Sequence, residues 1–354
     1  MKCFYPWCIV VVFLLVACGE AGEKLNKELL PTAGGDIGEI VLVMDSTQWT
    51  GDLGGQIKET FRSPMVGLPQ DEALFALKKI NPIKLNNLLK TAANLVFVMT
   101  LDSDTDESKS VRKYFSNQAL KRIQRDSSIW MTVRQDEYAK GQIALYLFGQ
   151  DEKALTENIY ANKKRIRDFF ESQAQKRLKA KIYRQRERGL EKAIAEKQDV
   201  AIQVPYGWDL AKNLPNFSWL RFLEADRELD VFIYQEPYRS VEVFDDVAAL
   251  RDKATELFLR DAEKPDIYIT RQDIIPMYQD KVTFDGKFAI KSRGLWKVSD
   301  NSGGGPFVSY TMVDEEKQMV YYIEGYVYSP GTNKKNFVRQ VDAILSTFKT
   351  KSAS

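Results

Sequence analysis

The side chains that most often carry catalysis are nearly absent from this sequence. Its 354 residues contain no histidine and only three cysteines. Without an imidazole, a Ser-His-Asp triad and a His-bearing zinc site are both excluded. What remains for acid–base or nucleophilic work is carboxylates, Ser-Lys pairs and lysine. Ser110-Val111-Arg112-Lys113 and Ser346-Thr347-Phe348-Lys349 spell S-x-x-K, and Ser299-Asp300-Asn301 adds a second element of that chemistry. No K-T-G follows, and a chain rich in serine and lysine produces such spacings by chance. Asp102, Asp104 and Asp106 imitate the start of a calcium loop. Its sixth position is Glu107 rather than Gly, and its twelfth is Lys113 rather than Glu, so a solvated acidic loop is expected. No metal site and no cofactor are expected. Glycan hydrolysis needs two acids facing across a cleft, roughly 5 to 9.5 Å apart. Asp45, ending the first apolar strand, and Glu72, in the LPQDE loop, are the candidates for that role.

Binding chemistry has more material. Net charge is +2, from 51 basic and 49 acidic residues, so any electrostatic partner is met by a local patch. The patch is evident: Lys163 to Lys192 holds twelve basic residues and four acidic ones. Lys179, Lys181, Arg184, Arg186 and Arg188 are its candidate binding residues. Two readings compete. In one, this is the solvated face of an amphipathic helix whose stems cover apolar surface. In the other, it docks on an anionic partner: phospholipid headgroups, lipopolysaccharide phosphate or an acidic envelope protein. Trp49 and Trp208, like Trp219 and Trp296, fall at strand ends or near turns. A tryptophan there either closes the core or stacks on a sugar or peptide.

The N-terminus supplies an address. Met1-Lys2 precede the uncharged run IVVVFLLVA, too short to span a membrane, which takes roughly 20 residues, but suited to a secretory signal. Leu15-Val16-Ala17-Cys18 resembles the lipobox of bacterial lipoproteins. The resemblance implies cleavage before Cys18, acylation of its thiol and new amine (palmitate being one such acyl chain), and stable anchoring by more than one chain. Cys3 and Cys8 would be removed, leaving no disulfide and no free thiol. Residue 19 is Gly rather than Asp, which implies the outer membrane, with the periplasmic face favoured over the cell surface. A secreted destination argues against nucleic acid as a partner.

The elements follow from periodicity. Residues 1–17 read as signal peptide, and 18–36 as lipidated Cys and Gly-rich tether. IGEIVLVMD and NLVFVMTL read as strands buried on both faces. Helices are expected over Gly51–Arg62, Leu85–Lys90 and Val111–Ile123, and a short strand near Ala73–Ile80. IWMTVR and QIALYLFG pair as a hairpin. One long basic helix, about Asp151 to Lys197 with a break near Arg188-Gly189, ends an N-terminal half of 37–198. The C-terminal half, 199–349, opens on AIQVPYGWDL and continues through strands at 219–225 and 229–235. A helix follows at Phe244–Arg260, then three strands and a final helix from Asn336 to Phe348. The fold class is α+β: two sheet-containing halves, a mixed sheet and then an antiparallel sheet with helices, joined by the long basic helix.

GEIVLVMDSTQWTGDLGGQI, GLPQDEALFALKKINP and ANLVFVMTL, joined to the lipobox, resemble an uncharacterised lipoprotein family of Bacteroidota that carries only a domain-of-unknown-function label. Gly67-Leu68-Pro69-Gln70 with Glu72 and Phe75 is the most specific part. The resemblance implies a lipoprotein and no known activity. The second half also looks like the fold of photosystem-associated extrinsic proteins and small envelope lipoproteins, through VPYGW, a middle helix and the closing VRQVDAILSTFK. That is an analogy of fold alone. The function expected is a non-enzymatic binding or scaffolding component of the cell envelope. The alternative is an envelope glycan hydrolase using paired carboxylates.

Overall fold

The computed structural model describes residues 28–351; the expected signal peptide, Cys18 and the start of the expected tether lie outside the described residues. The chain divides into two compact units. The first holds 28–55 and Leu77–Asn158, and the second holds Gln56–Ala76 and the chain from Ile159 onward.

The first unit contains β1 (Glu39–Val43), α1 (Ser46–Thr50) and the start of α2 (Asp52–Arg62). Then come β2 (Ala76–Ile80), α3 (Asn87–Lys90), β3 (Asn94–Thr100), α4 (Asp106–Arg112) and α5 (Asn117–Arg125). It closes with β4 (Met131–Gln135), β5 (Ile143–Gly149) and the start of α6 (Glu152–Ile182). The sheet order is β2-β1-β3-β5-β4. β1, β3 and β5 run parallel, while β4 returns antiparallel to β5 as the expected hairpin. Every residue of β3 and β5 is buried, which is why both read as unbroken apolar runs. On one face Val41, Leu95, Phe97 and Tyr146 pack with Val111 of α4 and Ile123 of α5. The helix expected over Val111–Ile123 is two helices. The Ser116 hydroxyl accepts from Ala119 N–H at 3.1 Å and starts α5 afresh, a local cap that competes with continuing α4.

The second unit continues with α7 (Arg188–Gln198), β6 (Val200–Ala201), β7 (Asp209–Leu214), β8 (Phe217–Glu224), β9 (Arg227–Pro237) and α8 (Val247–Phe258). Strands β10 (Ile269–Arg271), β11 (Tyr278–Phe284), β12 (Lys287–Val298), β13 (Gly304–Asp314) and β14 (Met319–Tyr328) follow, then α9 (Lys335–Leu345) and β15 (Lys349–Thr350). Seven strands form an antiparallel sheet in the order β10-β12-β13-β14-β9-β8-β7, with β11 also paired to β12. β10 and β11 lie outside the three strands expected after α8. The sheet buries both faces. On one, Val338, Val341 and Ile344 of α9 pack on Val231, Ile323 and Val308. Gly325 permits this approach, because a Cβ there would sit 2.5 Å from Val341 Cβ. On the other, Val247, Leu250 and Ala254 of α8 cover Phe217, Phe232 and Tyr322. Both units mix helix and sheet without βαβ regularity throughout, so the chain is α+β.

The expected break in the long helix is displaced. α6 stops at Ile182 and α7 begins at Arg188, so Gly189 is helical and Tyr183–Glu187 is the break. The cause is a long-range pairing. Arg186 bridges Pro205, Glu187 N–H donates to Val204 C=O at 2.9 Å, and Tyr206 N–H donates to Gln185 C=O at 3.2 Å. These bonds require extended backbone where a helix-interior Gly, costing about 1 kcal/mol, would otherwise be the weak point.

One charged pair lies inside the second unit. Arg251 of α8 donates to both Glu324 oxygens at 2.9 Å, and each side chain is 0% exposed. The Tyr322 hydroxyl donates to the same carboxylate at 2.5 Å, and the guanidinium lies 4.4 Å from the Phe307 ring centre. Removing one partner leaves the other charge buried and unpaired. Glu324→Gln is therefore expected to destabilise by about 3–5 kcal/mol, whereas Arg251→Met with Glu324→Leu costs much less than the two single changes summed. Chemical denaturation of the wild type, Glu324→Gln, Arg251→Met, Glu324→Leu and the double variant checks this.

A second charged contact sets a pH response. Burial pushes the Asp314 carboxyl up, but Lys287, the Thr350 hydroxyl and Lys317 N–H outweigh it and hold it at about 2. A lowered value means stabilisation that is present above the ordinary carboxylate pKa and lost as pH falls through the folded one. Asp314→Asn is expected to cost about 2 kcal/mol at pH 7 and almost nothing below about pH 2. Paired pH–stability curves that stay parallel would contradict it.

Candidate functional site

The two acids named for hydrolysis both cap helices. β1 delivers Asp45 to the start of α1, where its Oδ1 accepts from Thr47 N–H at 2.7 Å and Gln48 N–H at 3.3 Å. The Thr47 hydroxyl also donates to Oδ1, and the Thr105 hydroxyl donates to Oδ2. Burial pushes this carboxyl up, but the Thr105 and Thr47 bonds outweigh it and hold it below the usual carboxylate range. An ionised, acceptor-saturated carboxylate is a poor proton donor. Beside it, Ser46 donates through its backbone and hydroxyl to Glu107 Oε2, each at 2.7 Å, and Lys79 donates to Ser46 Oγ. Asn81 holds the other Glu107 oxygen at 2.5 Å. These bonds tie three loops together at the carboxyl end of β1. In the second unit, Glu72 accepts from Lys334 N–H at 2.6 Å and Lys335 N–H at 3.0 Å, capping α9 from a distant loop. The Asp102 region is likewise structural: Thr105 caps α4, Asp102 accepts from Glu152 N–H, and Asp104 pairs with Lys109. Among the described residues no cluster of three or more potential ligands could hold a metal ion.

The tryptophans separate. Trp208 is buried beside Phe222, at 5.9 Å between ring centres, and belongs to the core under α9. Trp49 is half-buried in α1.

The basic residues separate too. In α6, Lys163 pairs with Glu59 at 2.6 Å, Lys164 with Asp168 at 2.7 Å, and Arg167 donates to Ser63 Oγ at 3.0 Å. Arg186 is structural. It donates to both Glu191 oxygens, at 2.8 and 2.6 Å, and Glu191 accepts from Val204 N–H at 2.8 Å. That fork locks the break between α6 and α7. Lys179 is half-buried, and desolvation lowers its pKa. Lys181, Arg184 and Arg188 are exposed, with no ion pair among the described residues. Lys176, which was not singled out, joins them as an exposed unpaired charge on the last turns of α6. Its signal was available: no acid occurs between Glu171 and Glu187, and Glu171 is taken by Arg339.

Comparisons with known proteins return families without an assigned role. Residues 187–347 match the family described as Domain of unknown function (DUF4837), and residues 33–183 match Domain of unknown function (DUF8532). No curated protein matches the chain. Among solved structures, the Saccharomyces cerevisiae Ran-binding protein Mog1p is similar at 10% identity, with a TM-score of 0.28, over 43% of this chain and 90% of that one. A mutant of the protein Mog1 gives 11% and 0.28 over the same shares. The lipid transfer and protein localization domain of human StarD13 gives 11% and 0.15, over 46% of this chain and 95% of that one. Likeness at these scores carries no functional argument.

If Glu72 is a cap, Glu72→Ala costs about 1–2 kcal/mol and Glu72→Gln less, since the amide oxygen still accepts. Thermal unfolding of both variants checks the order.

Proposed function

We propose that this chain is a lipid-anchored, non-enzymatic binding component of a bacterial cell envelope. Cys18 carries the anchor on the outer membrane, and the segment Lys176 to Arg188 docks against anionic headgroups. The supporting observation is the set of four exposed cations without an ion pair among the described residues, Lys176, Lys181, Arg184 and Arg188, in a stretch where Glu171 is paired with Arg339 and Glu191 with Arg186, and Glu187 accepts from Gly207 N–H. Each such charge near an anionic surface contributes about 1 kcal/mol, so the four together contribute about 4 kcal/mol. An acyl anchor reinforced by a basic patch is a physically sufficient pair of signals for stable residence at a membrane. Among the described residues no helix is long and apolar enough to cross a membrane. A carboxylate-pair hydrolase has less support, because Asp45 and Glu72 both act as helix caps.

Palmitate labelling of the wild type, absent in Cys18→Ala, checks the anchor. The docking face is tested with the full chain carrying Cys18→Ala, so that no acyl chain contributes, against vesicles of phosphatidylcholine with and without phosphatidylglycerol. Binding is expected only to the anionic vesicles. It should fall at least about 100-fold when Lys181, Arg184 and Arg188 are changed to Glu, and weaken in about 0.5 M salt. Equal binding by the charge-reversed protein sinks the docking face. A stoichiometric envelope protein lost in that variant would replace headgroups with an acidic protein as the partner.

A further inference from the structure

A cleft of about 470 Å³ opens within the first unit, between α5 and the edge strand β4. Strand register builds its inner wall. Tyr146 of β5 lies opposite Thr132 of β4, so both point to one face of the sheet, and Phe148, two residues on, points there too. Tyr146 and Phe148 are buried, and their rings are held in place. Phe97 stacks on Tyr146 at 4.9 Å, and Phe115, in the link between α4 and α5, meets Tyr146 and Phe148 edge-on at 5.4 and 5.8 Å. Ile129 and Met131, both half-buried, continue the apolar lining towards the edge of the sheet.

Two features of this cleft point to a ligand. First, aromatic and aliphatic side chains from several elements converge on one concave space, whose volume falls in the range of small-molecule sites, roughly 300–1,000 Å³. Apolar surface of this kind gains by being covered. Second, the charge that lines it has one sign. Arg122 on α5 and Arg134 on β4 line the cleft, and no acid does. Arg134 is already engaged: it donates to Glu137 at 2.8 Å and lies 5.3 Å from the Tyr146 ring centre. Arg122 is exposed and has no ion pair among the described residues. Asp126, one turn further along the chain, feels Arg122 through space, but its carboxylate accepts from the Ser128 N–H and hydroxyl at 2.9 and 2.6 Å. The cleft therefore offers apolar walls and one guanidinium whose fork of donors holds no carboxylate.

A guanidinium with open N–H groups matches a carboxylate by two parallel bonds, and apolar walls match hydrocarbon. A neutral hydrocarbon leaves the guanidinium unused, and an organic cation meets two arginines and no acid. We propose that this cleft binds an apolar monocarboxylate, with the carboxylate on Arg122 and the hydrocarbon body against Phe115, Phe148 and Ile129. The site lies wholly within the first unit. It is independent of the basic segment Lys176 to Arg188, and its failure leaves the docking reading intact.

The test is calorimetric titration of the full chain carrying Cys18→Ala, so that no acyl chain of its own competes, with decanoate and 2-naphthoate. The tighter of the two tells an alkyl chain from a ring as the body. Decyltrimethylammonium, with the same chain and the opposite charge, and 2-naphthol, with the same ring and no charge, serve as comparisons. At least one carboxylate is expected to saturate one site with a Kd below about 1 mM, and both comparisons bind more weakly. Arg122→Gln, at an exposed position, should lose at least about tenfold in affinity with unchanged melting temperature. Ala119→Trp, which fills the cleft from α5, should abolish binding, and Arg122→Gln keeps the test decisive where that larger side chain lowers the melting temperature. Failure of both carboxylates to saturate at about 10 mM overturns the proposal. So does wild-type affinity in Arg122→Gln or Ala119→Trp, or tighter binding of 2-naphthol or decyltrimethylammonium than of both carboxylates.

Discussion

The second unit turns on the ion pair between Arg251 and Glu324. A helix lying on a sheet by apolar contact alone slides and rotates at little cost, because hydrophobic attraction has no direction. Two parallel N–H···O bonds from one guanidinium do have direction. They fix α8 over β14, and the Tyr322 hydroxyl and Phe307 ring fix the carboxylate and guanidinium in turn. The pair's net contribution to stability is small once desolvation is counted, so its value lies in where it places α8. The position of Leu259 at the helix end follows from it.

Carboxylates in this protein mostly organise backbone. Asp45 starts α1, Glu72 starts α9, Glu107 joins Ser46 to Asn81, and Glu191 holds Arg186 and Val204 across the helix break. Each satisfies N–H groups or cations that would otherwise lie unpaired near the interior. Near the end of α6, Glu171 is engaged by Arg339 and Glu191 by Arg186, and Lys176, Lys181, Arg184 and Arg188 have no ion pair among the described residues, so their field projects into solvent. The same logic removes Arg186 from that field. It sits among exposed cations in sequence, yet its charge is closed off by a two-point bond.

Legibility in the sequence followed the range of the interaction responsible. β3 and β5 were readable because burial on both faces leaves an unbroken apolar run, a property of the segment itself. β13 and β14 are buried along most of their length and rich in aromatic and β-branched residues, and β12 shows the same apolar core with charged residues interspersed. β11 was not, since YQDKVTF is an exposed edge strand held by its pairing to β12. The break between α6 and α7 was placed at the weakest local residue, Gly189, whereas the extended pairing of Gln185–Glu187 with Val204–Tyr206 decided it. The capping residue Ser116 divided α4 from α5 within a stretch whose apolar spacing suits one helix.

By itself the sequence determined what chemistry is missing, since a chain without histidine has no imidazole however it folds. It also determined which segments are buried strands and where positive charge accumulates, because composition and periodicity are local. The reading of Cys18 as an anchor rests on the sequence alone. Only the tertiary structure decided what each polar group faces. It made caps of Asp45 and Glu72, sealed Trp208 in the core, closed Arg186 against Glu191, and left Lys176 free. It brought Trp219, Asp230 and Tyr326 together from three neighbouring strands. Hydrogen bonding and desolvation belong to pairs of groups, and the partners are chosen by strand register and helix placement, which no single stretch of sequence contains.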